Sequence, residues 1–150
     1  MSVARQVAAA RAGCEPALVC RMLSGWVVLC RMQYLHGYCI LLPDPLVPSL
    51  NDLTYEQRSI YLCDMALIGD AILEVTGAYR INYATLGNFD QVLHSHIVPR
   101  YLSEPDEFRL KGPWSYPQET MDSNLFDYER DKDLMLQLRD AIEKRQRLKV

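Results

Sequence analysis

Short apolar runs broken by turn residues fill the first third of the chain, and apolar positions recur at helical spacing in its middle. Residues 3–12 are rich in alanine and run into Gly13, which predicts a short N-terminal helix. Residues 18–22 and 26–29 are apolar runs parted by Ser24-Gly25, the pattern of a hairpin. Residues 37–42 read as a buried strand stopped by Pro43, Pro45 and Pro48. The clearest helix spans 55–76. Thr54 stands at its N-cap, Gln57 completes a capping box, and Leu53 acts as a hydrophobic staple. Tyr61, Met65, Ile68, Ile72 and Val75 make its core face, and Gly77 its C-terminal stop.

Beyond that helix, 79–83 reads as a strand, 86–91 as a loop, and 92–98 as a strand ended by Pro99. Residues 101–126 are polar, carry prolines and show little periodicity. A loop of that length is either functional or packed over the surface. Asp127 can cap a last helix running to about Lys144, with Leu134, Met135, Leu138 and Ile142 as its apolar stripe. The basic residues over 145–149 suit its C-terminal end. The order of elements predicts an α+β fold: an antiparallel β-sheet with a long central helix and a C-terminal helix. One domain over 1–150 is expected, with its core at about 18–101.

Composition narrows the function. A chain of 150 residues with 49% hydrophobic residues can bury a real core without staples. The formal net charge of −3 gives no general attraction to nucleic acid, so any phosphate must be held by local groups. Arg5 and Arg11 interrupt the N-terminal segment, so no secretory leader is expected. The apolar run at 39–42 is far shorter than the about 20 residues a membrane span needs, so no membrane partner is expected either. The five cysteines form no CxxC pair and are odd in number, which fits reduced, mostly buried thiols in the cytosol, with Cys20, Cys39 and Cys63 in the core.

Two of the three histidines lie in Leu93-His94-Ser95-His96-Ile97-Val98-Pro99-Arg100. On a strand, Val92, His94, His96 and Val98 would share one face, while Leu93, Ser95 and Ile97 would face the core. Three readings of the paired imidazoles stay open. They are ordinary residues of a strand; they are two metal ligands awaiting a third, such as His36 or Asp90; or one is a nucleophile at phosphorus. In the last case the second imidazole binds non-bridging oxygens or passes a proton, and the amides of Asn82 and Asn88 steady the charge. Asparagine at those positions can equally be a turn or cap residue.

The stretch His94-Ser95-His96-Ile97-Val98-Pro99-Arg100 resembles the signature of the histidine triad (HIT) family, His-x-His-x-His followed by apolar residues and often Pro-Arg. Gly37-Tyr38-Cys39-Ile40-Leu41-Leu42-Pro43 resembles the family's upstream strand. Asp52-Leu53-Thr54 resembles the start of its long helix. Arg80-Ile81-Asn82-Tyr83 and Leu86-Gly87-Asn88 resemble the strand and loop before the triad in bacterial members. The likeness covers about residues 20–101.

The resemblance implies a homodimer acting on nucleotides or dinucleoside polyphosphates as a hydrolase or nucleotidyl transferase, with no cofactor and no essential metal. His94 takes the place of the middle histidine, the nucleophile that attacks the α-phosphate, and His96 that of the last. Asn88, beside Gly87, takes the place of a phosphate-binding amide, and Asn82 lies near the expected pocket. Val92 replaces the first histidine, so any part that side chain plays in orienting the nucleophile is expected to be absent. A catalytically weak or inactive nucleotide-binding module using the same pocket is the alternative. Tyr38, where the family often has histidine, and Trp114 are expected to pack or anchor; Trp114 could also cover the pocket or touch a dimer mate.

Overall fold

A computed structural model describes residues 1–148, so Lys149, expected in the basic end of the last helix, lies outside the described residues. Five strands, β1 (Leu18–Arg21), β2 (Gly25–Leu29), β3 (Cys39–Pro43), β4 (Arg80–Ala84) and β5 (Ser95–Arg100), form one sheet in the order β1-β2-β3-β5-β4. Every pairing is antiparallel. Among the described residues five α-helices accompany it: α1 (Val3–Arg11), α2 (Tyr55–Thr76), α3 (Asp106–Arg109), α4 (Gln118–Met121) and α5 (Tyr128–Leu148). The fold is the α+β arrangement expected.

Helix α2 owes its ends to local chemistry. Gln57 N–H donates to Thr54 Oγ1 at 3.2 Å, and Thr54 N–H donates to Gln57 Oε1 at 3.0 Å, closing the capping box. Gly77 ends it at φ +72°, a left-handed conformation that costs a glycine little. Tyr61, Met65, Ile68 and Ile72 are buried against the sheet, whereas Val75 is only partly buried at the edge of the core. Asp127 accepts from Arg130 N–H at 2.9 Å at the start of α5, as its capping role requires.

Strand register assigns the two sheet faces. Leu41 pairs with Ser95 and Cys39 with Ile97, so these four point toward α2; Tyr61 Oη meets Ser95 Oγ at 2.7 Å there. Ile40, Leu42, His96 and Val98 point to the opposite face. Helix α5 packs along α2 and β1, while α1 crosses the opposite face over β3. Arg11 at the end of α1 makes a two-pronged ion pair with Asp44, whose carboxylate also accepts from Trp26 Nε1 at 2.9 Å.

Several sequence expectations are corrected. The last strand does not span 92–98: it starts at Ser95 and continues through Pro99, paired with Ile81, to Arg100. Pro99 has no β3 partner, because β3 pairs only as far as Ile97. A proline is tolerated where one side of the ladder is unpaired. Residues 101–126 are not a plain loop but hold α3, α4 and a 3-10 turn at Pro113–Ser115. Cys63 is exposed, on the outer side of α2, as is Cys14; Cys20, Cys30 and Cys39 are buried. Apolar neighbours in sequence did not make Cys63 core, because successive helical positions face different ways.

Gly25 tests how tightly β2 and β3 approach. A Cβ there would lie 1.8 Å from the carbonyl oxygen of Leu42, so backbone must move to admit it. Gly25→Ala is expected to cost about 1–3 kcal/mol, read as a lowered urea midpoint at unchanged slope.

Candidate active site

His96 sits near the start of β5 on the sheet face away from α2, with His94 just before the strand. The two imidazole centroids are 5.2 Å apart, at an interplanar angle of 72°. His94 does not reach this place by strand alternation, as the sequence predicted. The chain at Leu93 leaves the β3 ladder and its N–H donates instead to Val47 O at 2.8 Å. His94 then folds back so that its Nδ1 lies 2.7 Å from the carbonyl oxygen of Val92.

That contact involves the backbone of Val92 and not its side chain. A carbonyl only accepts, so His94 Nδ1 carries the proton and, in the neutral ring, Nε2 keeps the lone pair. The orienting partner is therefore supplied by the backbone at position 92, and a valine side chain does not remove it.

His96 is partly buried. Its Nδ1 lies 2.6 Å from Tyr38 Oη, and its ring meets Trp114 edge-on with centroids 5.2 Å apart. Burial, and after it the neighbouring His94, push the His96 pKa down to about 4. Relative to an unfolded value near 6.5, the folded state then binds fewer protons, so the stability linked to His96 is complete above about pH 6.5 and lost as pH falls toward about 4. Urea unfolding across that window is expected to show wild type losing stability relative to His96→Asn as pH drops. A flat difference would contradict the shift.

The histidines border an open cleft of about 700 Å³. Ile40 and Leu42 make its floor, Phe89, Asp90 and Gln91 one rim, and the first turn of α1 the other. The rims are joined where Val3 N–H donates to Asp90 Oδ2 at 2.8 Å, which fixes the N-terminal end of α1 beside the imidazoles. Phe89 is fully exposed on the rim.

The other candidate residues lie apart from this cleft. Asn82, on β4, has its Oδ1 taken by Arg100 Nη1 at 2.8 Å and borders a separate depression with Arg80 and Lys111. Asn88 is exposed in the 86–91 loop, and Gly87 supplies that loop's positive φ of +74°. Neither lines the histidine cleft, although the residues that follow them do. Exposed His36 contributes its backbone carbonyl, which accepts from Tyr101 Oη. Among the described residues, no three or more His, Cys, Asp or Glu side chains converge as metal ligands would.

Sequence reasoning missed one participant, Tyr38, and left covering the pocket as one of several roles open to Trp114. Tyr38 is more than packing, and its place on the strand resembling the family's Gly-His segment was the available signal. Trp114 covers His96 because residues 101–126 are clamped to the sheet. Arg100, 2% exposed, binds Glu104 through Nε and Nη2 and donates to the carbonyl oxygens of Lys111 and Phe108 at 2.6 and 2.8 Å. Burial works against the Glu104 charge, yet the bonds from Arg100, Tyr116 and Tyr101 N–H hold its carboxyl below the ordinary value. Gln33, also buried, closes the turn before Tyr38: Nε2 donates to the carbonyls of Cys30 and Tyr38, and Oε1 accepts from Gly37 N–H.

No protein-family model matches the chain, and no curated protein is significantly similar to it. Solved structures are. A histidine triad protein from Marinobacter aquaeolei VT8 superposes with a TM-score of 0.71 at 20% identity, over 93% of this chain and 94% of that one. A histidine triad nucleotide-binding protein from Sulfolobus tokodaii strain7 gives 0.71 at 15% identity, over 93% and 92%. A histidine triad protein from Sinorhizobium meliloti 1021 gives 0.70 at 17% identity, over 83% and 87%. The chain has the histidine triad fold.

Proposed function

We propose that this chain is a HIT-type nucleotide hydrolase or nucleotidyl transferase working at the α-phosphate through a nucleotidyl-His94 intermediate. The observation that carries the reading is the bond from His94 Nδ1 to the Val92 carbonyl, which leaves Nε2 as the lone-pair nitrogen beside an open cleft. Nε2 attacks phosphorus, the bond to the leaving group breaks, and water then cleaves the P–N bond to free the nucleotide and restore the ring. His96 contacts a non-bridging oxygen, and a cleft with an apolar floor and the Phe89 rim accommodates the nucleoside. Gly87 and Asn88 remain candidates for the phosphate chain, since their loop leads into the cleft. Asn82 serves the site through Arg100. A homodimer fits the unpaired outer edge of β4, and a cytosolic setting fits the five free thiols.

The binding-module alternative rests on the missing imidazole at Val92, and the backbone contact weakens it. Intact-protein mass spectrometry after mixing with a dinucleoside polyphosphate or an adenosine phosphoramidate decides between the two. An acid-labile nucleotidyl adduct or steady product release, lost in His94→Ala, supports the enzyme. Equal nucleotide binding by both proteins without adduct or product rejects turnover and leaves a module that only binds.

A further inference from the structure

Among the described residues, Tyr38 is the one wholly buried hydroxyl that touches a site histidine. It projects from the turn before β3 to His96 Nδ1, 58 residues away in sequence, at 2.6 Å. Its surroundings are apolar: Cys30, Leu35 and Val98 are buried around it, and Met32 and Tyr34 pack against the group. One proton lies between the phenol oxygen and the imidazole nitrogen, and its owner decides what His96 can do. If Nδ1 carried a proton, in a cation or in the other neutral tautomer, it would donate to the phenol. The phenol's own proton would then lack an acceptor, since among the described residues Tyr38 Oη hydrogen-bonds to Nδ1 alone. If the ring is neutral and the phenol donates, Nδ1 is the acceptor and the ring's single proton sits on Nε2.

The surroundings choose the second arrangement. Among the described residues no acidic side chain hydrogen-bonds to His96, while His94 stands beside it, so a cation would be buried without an anion. Burial also pushes the Tyr38 hydroxyl far above its usual range, with Cys30 adding to the effect, so the phenol keeps its proton. The two histidines are thereby complementary. His94 shows a lone pair at Nε2 because a carbonyl holds its Nδ1–H; His96 shows a proton at Nε2 because a phenol fills its Nδ1.

We propose that Tyr38 is a positioning residue that holds His96 as a neutral Nε2–H hydrogen-bond donor, so that the site favours leaving groups that depart without a proton. The leaving-group consequence rests on the nucleotidyl-transfer reading above; the tautomer does not. When His94 Nε2 forms its bond to phosphorus, the P–O bond of a phosphoanhydride breaks with its electron pair on the departing phosphate. That anion needs no proton, and the Nδ1 proton of His94 stays where it is. Hydrolysis then forms a P–O bond to water, returns the P–N pair to Nε2 and releases one proton to solvent. An alkyl phosphoramidate differs, because its amine must be protonated to leave. His96 cannot supply that proton without becoming an imidazolate, and protonating Nδ1 first would break the bond from Tyr38.

Two measurements on the full chain test this. Ring nitrogen-15 correlation spectra of wild type at neutral pH are expected to show His96 protonated at Nε2 with an unprotonated, hydrogen-bonded Nδ1, and Tyr38→Phe is expected to lose that pattern. A His96 proton on Nδ1 in wild type would overturn the proposal. In turnover, kcat/KM on a dinucleoside polyphosphate is expected to exceed that on an alkyl phosphoramidate of the same nucleoside by about 10²-fold or more, the usual contribution of a general acid. Tyr38→Phe should lower kcat/KM on the polyphosphate roughly 3- to 10-fold, the worth of one hydrogen bond. Equal rates on the two substrates in wild type would overturn the leaving-group preference. If neither substrate turns over, the functional reading fails while the spectra still decide the role of Tyr38, and wild-type spectra serve even if the variant does not fold.

Discussion

Arg100→Met is expected to destabilise the folded protein by about 3–5 kcal/mol, more than the crowding introduced by Gly25→Ala. The guanidinium is 2% exposed, and its partners come from three directions: the Glu104 carboxylate, Asn82 Oδ1 on β4, and the carbonyl oxygens of Phe108 and Lys111. Methionine fills much of the volume but strands a buried carboxylate that Tyr116 Oη and Tyr101 N–H alone must then hold. Breaking one side of a buried pair costs far more than the pair contributes when intact, because the remaining charge stays desolvated. Urea denaturation reads the loss directly. Arg100→Met combined with Glu104→Gln should recover a large part of it, since the uncompensated charge is then gone. Failure of the double variant to recover would mean that the carbonyl contacts to 108–111, and not the ion pair, carry the network. Trp114 follows α3, so its coverage of His96 should loosen in the single variant, seen as a red-shifted tryptophan emission.

The second large effect is on chemistry. His94→Ala is expected to lower kcat on a dinucleoside polyphosphate by about 10⁴-fold or more while leaving the melting temperature nearly unchanged, because the ring borders a cleft and fills no part of the core. The double variant His94→Ala, His96→Ala should be scarcely worse than His94→Ala. Once the attacking nitrogen is gone, the donor that steadies the transferring phosphoryl group has no transition state to act on. Independent, additive losses in kinetics would argue that the histidines work separately and that the nucleotidyl-His94 intermediate is the wrong description. Val92→Ala should change little, since position 92 acts through its carbonyl oxygen.

Much of the frame was legible in the sequence because it is decided within a few residues. The Thr54–Gln57 box, the stop at Gly77 and the Asp127 cap each depend on neighbours three or four positions away, and the structure places all three as read. The hairpin turn expected at Ser24-Gly25 falls one residue earlier, at Leu23-Ser24 between the paired Met22 and Gly25, where β2 begins. Alternation also assigned Ser95 and Ile97 to the core face and His96 to the other. The strand assignment failed at 92–94, where leaving the β3 ladder frees His94 to bond back to Val92, although Leu93 is still buried in the core and His94 still stands beside His96. It failed also at Pro99, where the strand continues because its β3 side is open.

Only the tertiary structure decided what surrounds those histidines. The partner of His96 arrives from 58 residues upstream, the cleft wall from the N-terminal helix, and the Trp114 cover from a segment whose order depends on a buried arginine. None of these leaves a periodic trace, because each is a single contact made by chain closure and not a repeat along a helix or strand. Sequence by itself determined the long helices, the approximate strands of the sheet and the pair of imidazoles, but not the short helices over 101–126. Which nitrogen of His94 carries a proton and which residues wall the cleft were settled by packing, because a buried polar atom must find its partner wherever the folded chain brings one.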